Sequence, residues 1–194
     1  MTSTPTRDRL LDEAMRLFGE RGFGGTSVAE IERSAGLTPG AGGLFHHFRN
    51  KEVLLAAGIE RQLARLEAVR KIRGAIPPLS DPRAELTLAA RYVFLELEEE
   101  QELLRVLVSE GRRRPELLTG AVDQVVRGTF NEFAALLARS GVTEIGAGLA
   151  LGALVAFASA ELLLGQAPLE ADREDVIATW VDMVMGLASA DHAP

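Results

Sequence analysis

The sequence predicts an all-α fold of about nine helices, and three observations carry that expectation. Apolar residues recur at spacings of three and four rather than alternating with polar ones. The 194 residues include one tyrosine and one tryptophan, so strand signals are scarce. Glycines, prolines and capping residues punctuate the chain at helix-length intervals.

The first helix is expected at about residues 6–21, with Leu10, Ala14, Leu17 and Phe18 on one face and Gly22 as its stop. Gly24 and Gly25 loosen the chain beyond it. A second, short helix covers about 27–34: Thr26 or Ser27 caps it, Ser27 and Glu30 stand at capping-box spacing, and Val28 and Ile31 form its buried side. Ala35-Gly36-Leu37 makes a tight turn. Thr38 followed by Pro39 reads as an N-cap with proline at the first helical position, so a third helix is expected from there. Asn50 caps a long fourth helix to about Arg73, which Gly74 and the Pro77-Pro78 pair end. Five more helices are expected at about 82–99, 102–111, 115–139, 143–165 and 172–189, separated by Gly111, Pro115, Gly141 and Pro168.

Composition narrows the function classes. At 47% apolar and 25% charged, the chain can bury a substantial core without covalent staples. It has no cysteine, which removes disulfides, thiolate nucleophiles and thiolate metal sites. The N-terminus, MTSTPTRDRLLDEA, carries charges where a secretory signal needs an apolar run, so a cytoplasmic protein is expected. The longest uncharged apolar run, residues 145–160, is shorter than the roughly 18 to 20 residues of a spanning helix. It reads as a buried helix, and no membrane partner is expected. Net charge is −7 but unevenly spread: residues 1–51 carry seven basic and six acidic side chains, net +1, and residues 52–194 carry fourteen and twenty-two, net −8. That division permits nucleic-acid binding at the N-terminus without demonstrating it.

Two short helices joined by a three-residue glycine turn form a helix-turn-helix, the arrangement in which a second helix enters the major groove while the first spans the backbone. Such pairs also occur in helical proteins that never touch nucleic acid. More specific are residues 26–52, TSVAEIERSAGLTPGAGGLFHHFRNKE, which resemble the DNA-binding signature of the TetR family of repressors. The resemblance rests on the threonine-serine cap, the Ala35-Gly36-Leu37 turn, the run from Phe45 to Phe48, and Lys51-Glu52 opening the next helix. It is sharp over about residues 8–56; beyond them only helix number and length match. Two departures stand out. The stretch from Thr38 to Phe45 is two residues longer than the family's commonest form, and Phe45 stands where the family usually has tyrosine.

The resemblance implies phosphate contacts from Thr26 or Ser27, from His47 and from Lys51. Helix N-termini present free N–H groups and a positive dipole end to phosphates, and a lysine adds a point charge. Taken alone, Lys51 reads as a solvated lysine and His47 as a packed histidine. The implied recognition helix, TPGAGGLF, has no arginine, asparagine or glutamine for bidentate base pairing. Thr38 is its one hydrogen-bonding side chain, next to Pro39. Gly40, Gly42 and Gly43 permit close backbone approach but cost about 1 kcal/mol each in helix propensity, so a short helix that firms up on binding is expected. Specificity then leans on Ala41 or Leu44 against thymine methyls, on DNA shape, and on Arg7 or Arg9 from an N-terminal arm. Phe18, Phe23 and Phe48 belong to the small core that holds these helices.

The expected organisation is a DNA-binding domain at 1–49, its helix-turn-helix at about 27–46, and a helical effector-binding and dimerisation domain at 50–194. The last two helices are rich in small and apolar residues, among them Gly146, Gly148, Gly152, Ala156 and Ser159, then Ile177, Trp180, Val181, Val184 and Ala188. A helix apolar nearly all round must be covered, by its own domain or by a second copy. The resemblance implies a homodimer formed by this pair, as suits a palindromic double-stranded operator. A pocket for a partly apolar small-molecule effector is expected within 82–139, with Phe94, Phe130, Phe133 and Leu107 as apolar candidates and Arg91, Tyr92, Arg105 and Asn131 as polar handles. Arg112, Arg113 and Arg114 follow a helix end and compensate its dipole.

No catalytic, cofactor or metal site is expected. His46 and His47 are adjacent and diverge on a helix, Ser109 and Ser140 have no evident base, and Glu161 in an apolar helix reads as a partly exposed or dimer-bonded carboxylate; the alternatives are a helical ligand- or protein-binding dimer without DNA binding, or a small helical enzyme using Glu161 or His46.

Overall fold

A computed structural model describes residues 5–166 and 169–190. Among them are eight α-helices and one 3-10 turn: α1 (Thr6–Arg21), α2 (Val28–Ser34), the turn Leu44–His46, α3 (Lys51–Gly74), α4 (Pro82–Glu99), α5 (Gln101–Glu110), α6 (Pro115–Ala138), α7 (Glu144–Leu164) and α8 (Arg173–Ala190). Pro168 and the side chain of Glu161 lie outside the described residues.

The helix ends follow local chemistry. The Gly22 N–H closes α1 on the Phe18 carbonyl at 3.0 Å, and Ser27 and Glu30 form the full capping box of α2. Asn50 Oδ1 accepts the Val53 N–H at 2.8 Å at the start of α3. Asp81 caps α4, with Pro82 at its first position.

The expected third α-helix is absent, a correction with a clear cause. Gly40 and Gly42 adopt φ of 77° and 79°, left-handed conformations that cannot continue a right-handed helix, so Thr38 to Gly43 form a loop that tightens only into the 3-10 turn.

The chain divides into two compact units. The first comprises residues 1–73 with 102–124: α1, α2, the 3-10 turn, α3, α5 and the beginning of α6. Its buried residues include Leu10, Leu11, Ala14, Met15 and Phe18 from α1, Leu54, Leu55 and Ile59 from α3, and Leu103 and Val106 from α5. Gly58 lets α1 and α3 approach closely, because a Cβ there would lie 2.6 Å from Met15 Sδ.

The second unit comprises residues 74–101 with 125–194. Helix α4 packs on α7 and α8, which pack on each other. Phe133 meets Trp180 edge-on at 5.6 Å between centroids, and the Trp180 Nε1–H donates to the Ala150 carbonyl at 2.8 Å. Helix α7 buries Ala147, Ala150, Leu151, Leu154 and Ala158 but leaves Ile145, Leu149 and Leu164 more than two-thirds exposed, at 79%, 71% and 77%. It is thus only half the buried helix expected. By length and composition α7 is apolar enough to cross a membrane, with a mean hydropathy of 2.0, yet one side of it is core.

Candidate nucleic-acid interface

The link between α1 and α2 is held from three directions within the first unit. Thr26 is 1% exposed, and its hydroxyl is shared between the carbonyls of Leu17 at 3.1 Å and Gly22 at 2.9 Å. Lys51 Nζ, at the start of α3, donates to the carbonyls of Phe23 and Thr26, both at 2.7 Å, and lies 4.2 Å from the Phe23 ring centroid. Burial pushes this ammonium below its ordinary value. Glu110, the buried last residue of α5, accepts the Phe23 N–H at 3.0 Å. Arg114 Nε stands 3.4 Å from the Glu110 carboxylate, and its guanidinium carbon 3.9 Å from the Phe23 ring centroid.

At the N-terminus of α2, Ser27 Oγ accepts the Glu30 N–H at 3.2 Å, and the Glu30 carboxylate accepts the Ser27 N–H at 2.8 Å. The Ser27 hydroxyl bond, then the Ser27 N–H, hold the Glu30 carboxyl below its ordinary value of 4.5. Because the folded pKa is depressed, this contribution to stability is present above that ordinary value and is lost as pH falls through the depressed one. Replacing Ser27 by alanine is expected to cost about 1 kcal/mol near pH 7, and the gap to the parent protein should narrow once the pH is below the depressed value of the Glu30 carboxyl. Thermal midpoints on either side of that value test this; a gap unchanged by acid would dissociate the cap from the carboxylate.

The segment after α2 is organised from beneath. Glu32 is fully buried, and its carboxylate accepts the Gly40 N–H at 2.7 Å and the Leu44 N–H at 3.0 Å. Above it Thr38, Pro39, Gly40 and Ala41 are exposed, as are Phe45, His46 and His47. Leu44 points inward at 0% exposure, packed in the core with Ile31 and Phe48 also buried.

Of the expected contact residues, the fold therefore presents Ser27, Thr38, Pro39, Gly40, Ala41, Phe45 and His47 on the surface of the first unit. Thr26 and Leu44 are corrected to structural roles: the hydroxyl of one is consumed by carbonyls, and the side chain of the other fills the core. Lys51 is half-buried, with two of its three donors committed inward. Arg7 and Arg9 lie in the first turn of α1 rather than in an arm: Arg7 sits over the Phe48 ring at 5.2 Å, and Arg9 donates to Thr6 Oγ1 at 3.3 Å.

The model for bacterial regulatory proteins of the tetR family matches residues 10–57, the segment that contains this cap, turn and loop. Residues 10–57 thus carry a tetR-type DNA-binding segment. Among its relatives, the HTH-type transcriptional regulator BetI of Rhizobium meliloti (strain 1021) is 34% identical over 130 residues, 59% of this chain and 63% of that protein. UidR of Escherichia coli (strain K12) is 45% identical over 65 residues, 31% of this chain and 32% of that protein. The chain thus spans less than two-thirds of the length of the curated relatives it matches. Over nearly the whole chain, the TetR family transcriptional regulator PfmR from Thermus thermophilus shares the fold, with a TM-score of 0.65 at 25% identity, covering 94% of this chain and 97% of that one.

The side chains expected to line an effector pocket fall in both units of the chain. Arg105 belongs to the first unit, and Arg91, Tyr92, Phe94, Phe130 and Phe133 to the second. Phe94 and Phe133 are buried core, Phe130 packs against Gly148, and Arg91 is exposed and pairs with Glu174 at 2.6 Å. Leu107 is likewise core, and Asn131 is exposed. A concavity of about 340 Å³ runs instead along α3 and α6 in the first unit, lined by Ile59, Glu60, Leu63 and Glu67 on one side and Leu117 and Ala121 on the other. Arg114 is a ring-stacked partner of a buried carboxylate, a more specific role than dipole compensation; Arg112 and Arg113 remain exposed.

Proposed function

We propose that this chain is a ligand-responsive transcriptional regulator: a homodimer that holds a palindromic duplex operator and is released from it by a small molecule, as a repressor. The observation that carries the reading is the tetR-family match at 10–57, which takes in the capped helix α2, the turn after it and the loop and 3-10 turn that follow. In this reading residues 1–49 read DNA and residues 50–194 serve dimerisation and effector binding. Ser27 at the start of α2, His47 and the remaining donor of Lys51 meet phosphates, while Thr38, Pro39, Gly40, Ala41 and Phe45 face the groove. The named relatives are transcriptional regulators, so the protein is assigned no catalytic step and works in the cytoplasm, where the operator is.

The exposed apolar faces of α7 and α8 support a dimer through that pair. Along α7 they comprise Ile145, Leu149, Gly152, Ala153 and Ala156, and along α8 Met183, Gly186 and Leu187. Twofold symmetry of the protein then matches twofold symmetry of the operator, with half-sites about 34 to 36 Å apart or a multiple of it.

The groove along α3 and α6 supports the effector part of the reading. Its apolar floor and its rim of Glu60, Glu67 and Gln124 suit a partly apolar small molecule. It lies in the same unit as α2 and the loop after it, where the Glu110 carboxylate ties the α5 end to Phe23 between α1 and α2. Coupling is reciprocal: an effector that weakens operator affinity by about 5- to 150-fold must bind the DNA complex that much more weakly, a difference of roughly 1 to 3 kcal/mol.

Selection of bound sequences from random duplex DNA tests the core of the proposal. A palindromic consensus should emerge, and its affinity should fall steeply with salt, with a slope of about −0.9 per phosphate contacted. Recovery of no sequence above background, or binding indifferent to salt, would remove DNA reading from this protein.

A further inference from the structure

Glu32 is a buried carboxylate without a cationic partner among the described residues. Such a group is costly unless its lone pairs are satisfied. Its two oxygens are satisfied by two backbone N–H groups that belong to opposite ends of one segment: Oε2 by Gly40 and Oε1 by Leu44. The Glu32 carbonyl also accepts the Leu37 N–H at 2.8 Å, so one residue of α2 holds the turn before the loop and both ends of the loop itself. A carboxylate can accept at both oxygens, whereas an amide of the same shape would set an NH₂ donor against one of the two N–H groups.

The loop it holds has glycine at 40, 42 and 43. A Cβ at Gly40 or Gly42 would meet nothing within 4 Å, so packing does not demand glycine there; the positive φ does. Thr38 to Ala41 are exposed, and Gly42 is partly so. Winding 38–45 into an α-helix would need both glycines to leave the left-handed region, and would pull the Gly40 N–H from a carboxylate that has no other partner for that oxygen.

We infer that Glu32 is the positioning residue of the DNA-reading element, and that this element is a preset loop and 3-10 turn rather than a helix that forms on the operator. The inference rests on the DNA-reading function proposed above and says which residue gives that function its base specificity. The exposed stretch from Thr38 to Ala41 is held at fixed register by the buried carboxylate. Sequence is then read by close backbone fit and groove shape, while the phosphate contacts at Ser27 and Lys51 lie outside the segment it holds.

The test compares the full-length parent, Glu32→Gln and Gly42→Ala against two duplexes at one salt concentration, the sequence selected by the parent and a scrambled control. Circular dichroism and a thermal midpoint report folding of each variant. Glu32→Gln is expected to stay helical and to keep its affinity for the scrambled duplex within about twofold, while its preference for the selected duplex falls at least about tenfold. Gly42→Ala strains the loop without touching the carboxylate and should lower the same ratio, so the inference remains testable if Glu32→Gln fails to fold. Parent-like discrimination in Gly42→Ala and in any folded Glu32→Gln would overturn it and show a reading element that adapts to DNA. Equal binding of both duplexes by the parent itself would instead defeat base-specific reading by the chain, and the role of Glu32 with it.

Discussion

Replacing Glu110 by alanine is expected to destabilise the first unit by about 3 to 5 kcal/mol, the cost of removing one partner from a buried charged cluster. The carboxylate is 3% exposed and accepts the Phe23 N–H at 3.0 Å, so truncation leaves a buried donor without an acceptor. It also leaves two cations, Arg114 and Lys51, against the Phe23 ring with no nearby anion so well buried. Glu110→Gln keeps an acceptor for Phe23 and loses only charge, so a smaller loss of about 1 to 2 kcal/mol is expected. Because Lys51 bonds the Phe23 and Thr26 carbonyls, loosening Phe23 also loosens the cap that starts α2, and affinity for DNA should fall in the same order. Denaturant melts of the three proteins settle the matter: an alanine variant within about 1 kcal/mol of the parent would show that the cluster holds nothing.

Introducing arginine at Leu149 should convert the proposed dimer to monomer. Leu149 is 71% exposed within the single chain, in the middle of the uncovered face of α7, and a twofold interface contains every substitution twice. At about 2 to 3 kcal/mol for each unpaired charge forced into an apolar contact, the loss is roughly 4 to 6 kcal/mol, or three to four decades in dissociation constant. Light scattering at micromolar concentration reads the mass, and operator binding should fail with it. The same change at Val108, 69% exposed on α5 in the first unit, serves as control and should leave the mass alone. A dimer that survives Leu149→Arg, or a parent that is already monomeric, would rule out α7 as the interface.

Much of the fold was legible from residue order. Ser27 with Glu30, Asn50 and Gly141 act on the nearest few backbone groups, so the helices they delimit could be placed to within a residue or two. The recognition segment was misread for an equally local reason. Thr38-Pro39 does signal a helix start, but glycines at 40 and 42 make that signal weak, and a carboxylate six residues upstream of Thr38 decides the outcome. A hint was present: Val28, Ile31, Glu32 and Ala35 fall on one stripe of α2, and Leu103, Val106, Leu107 and Glu110 on one stripe of α5. An acid on an apolar stripe must find buried donors, and both of these do.

By itself the sequence determined the all-α class, the helix ends, the tetR-type signature and the small-residue faces of the last two helices. Each depends on neighbours three or four positions away, or on a motif whose residues are contiguous. Tertiary structure alone decided that Thr26 and Leu44 face inward, that Lys51 spends two donors on carbonyls, that Phe94 and Phe133 are core, and that Glu110 reaches a backbone amide 87 residues away in the chain. Those outcomes turn on which N–H and C=O groups would otherwise be buried without partners, and that is settled only when distant segments pack.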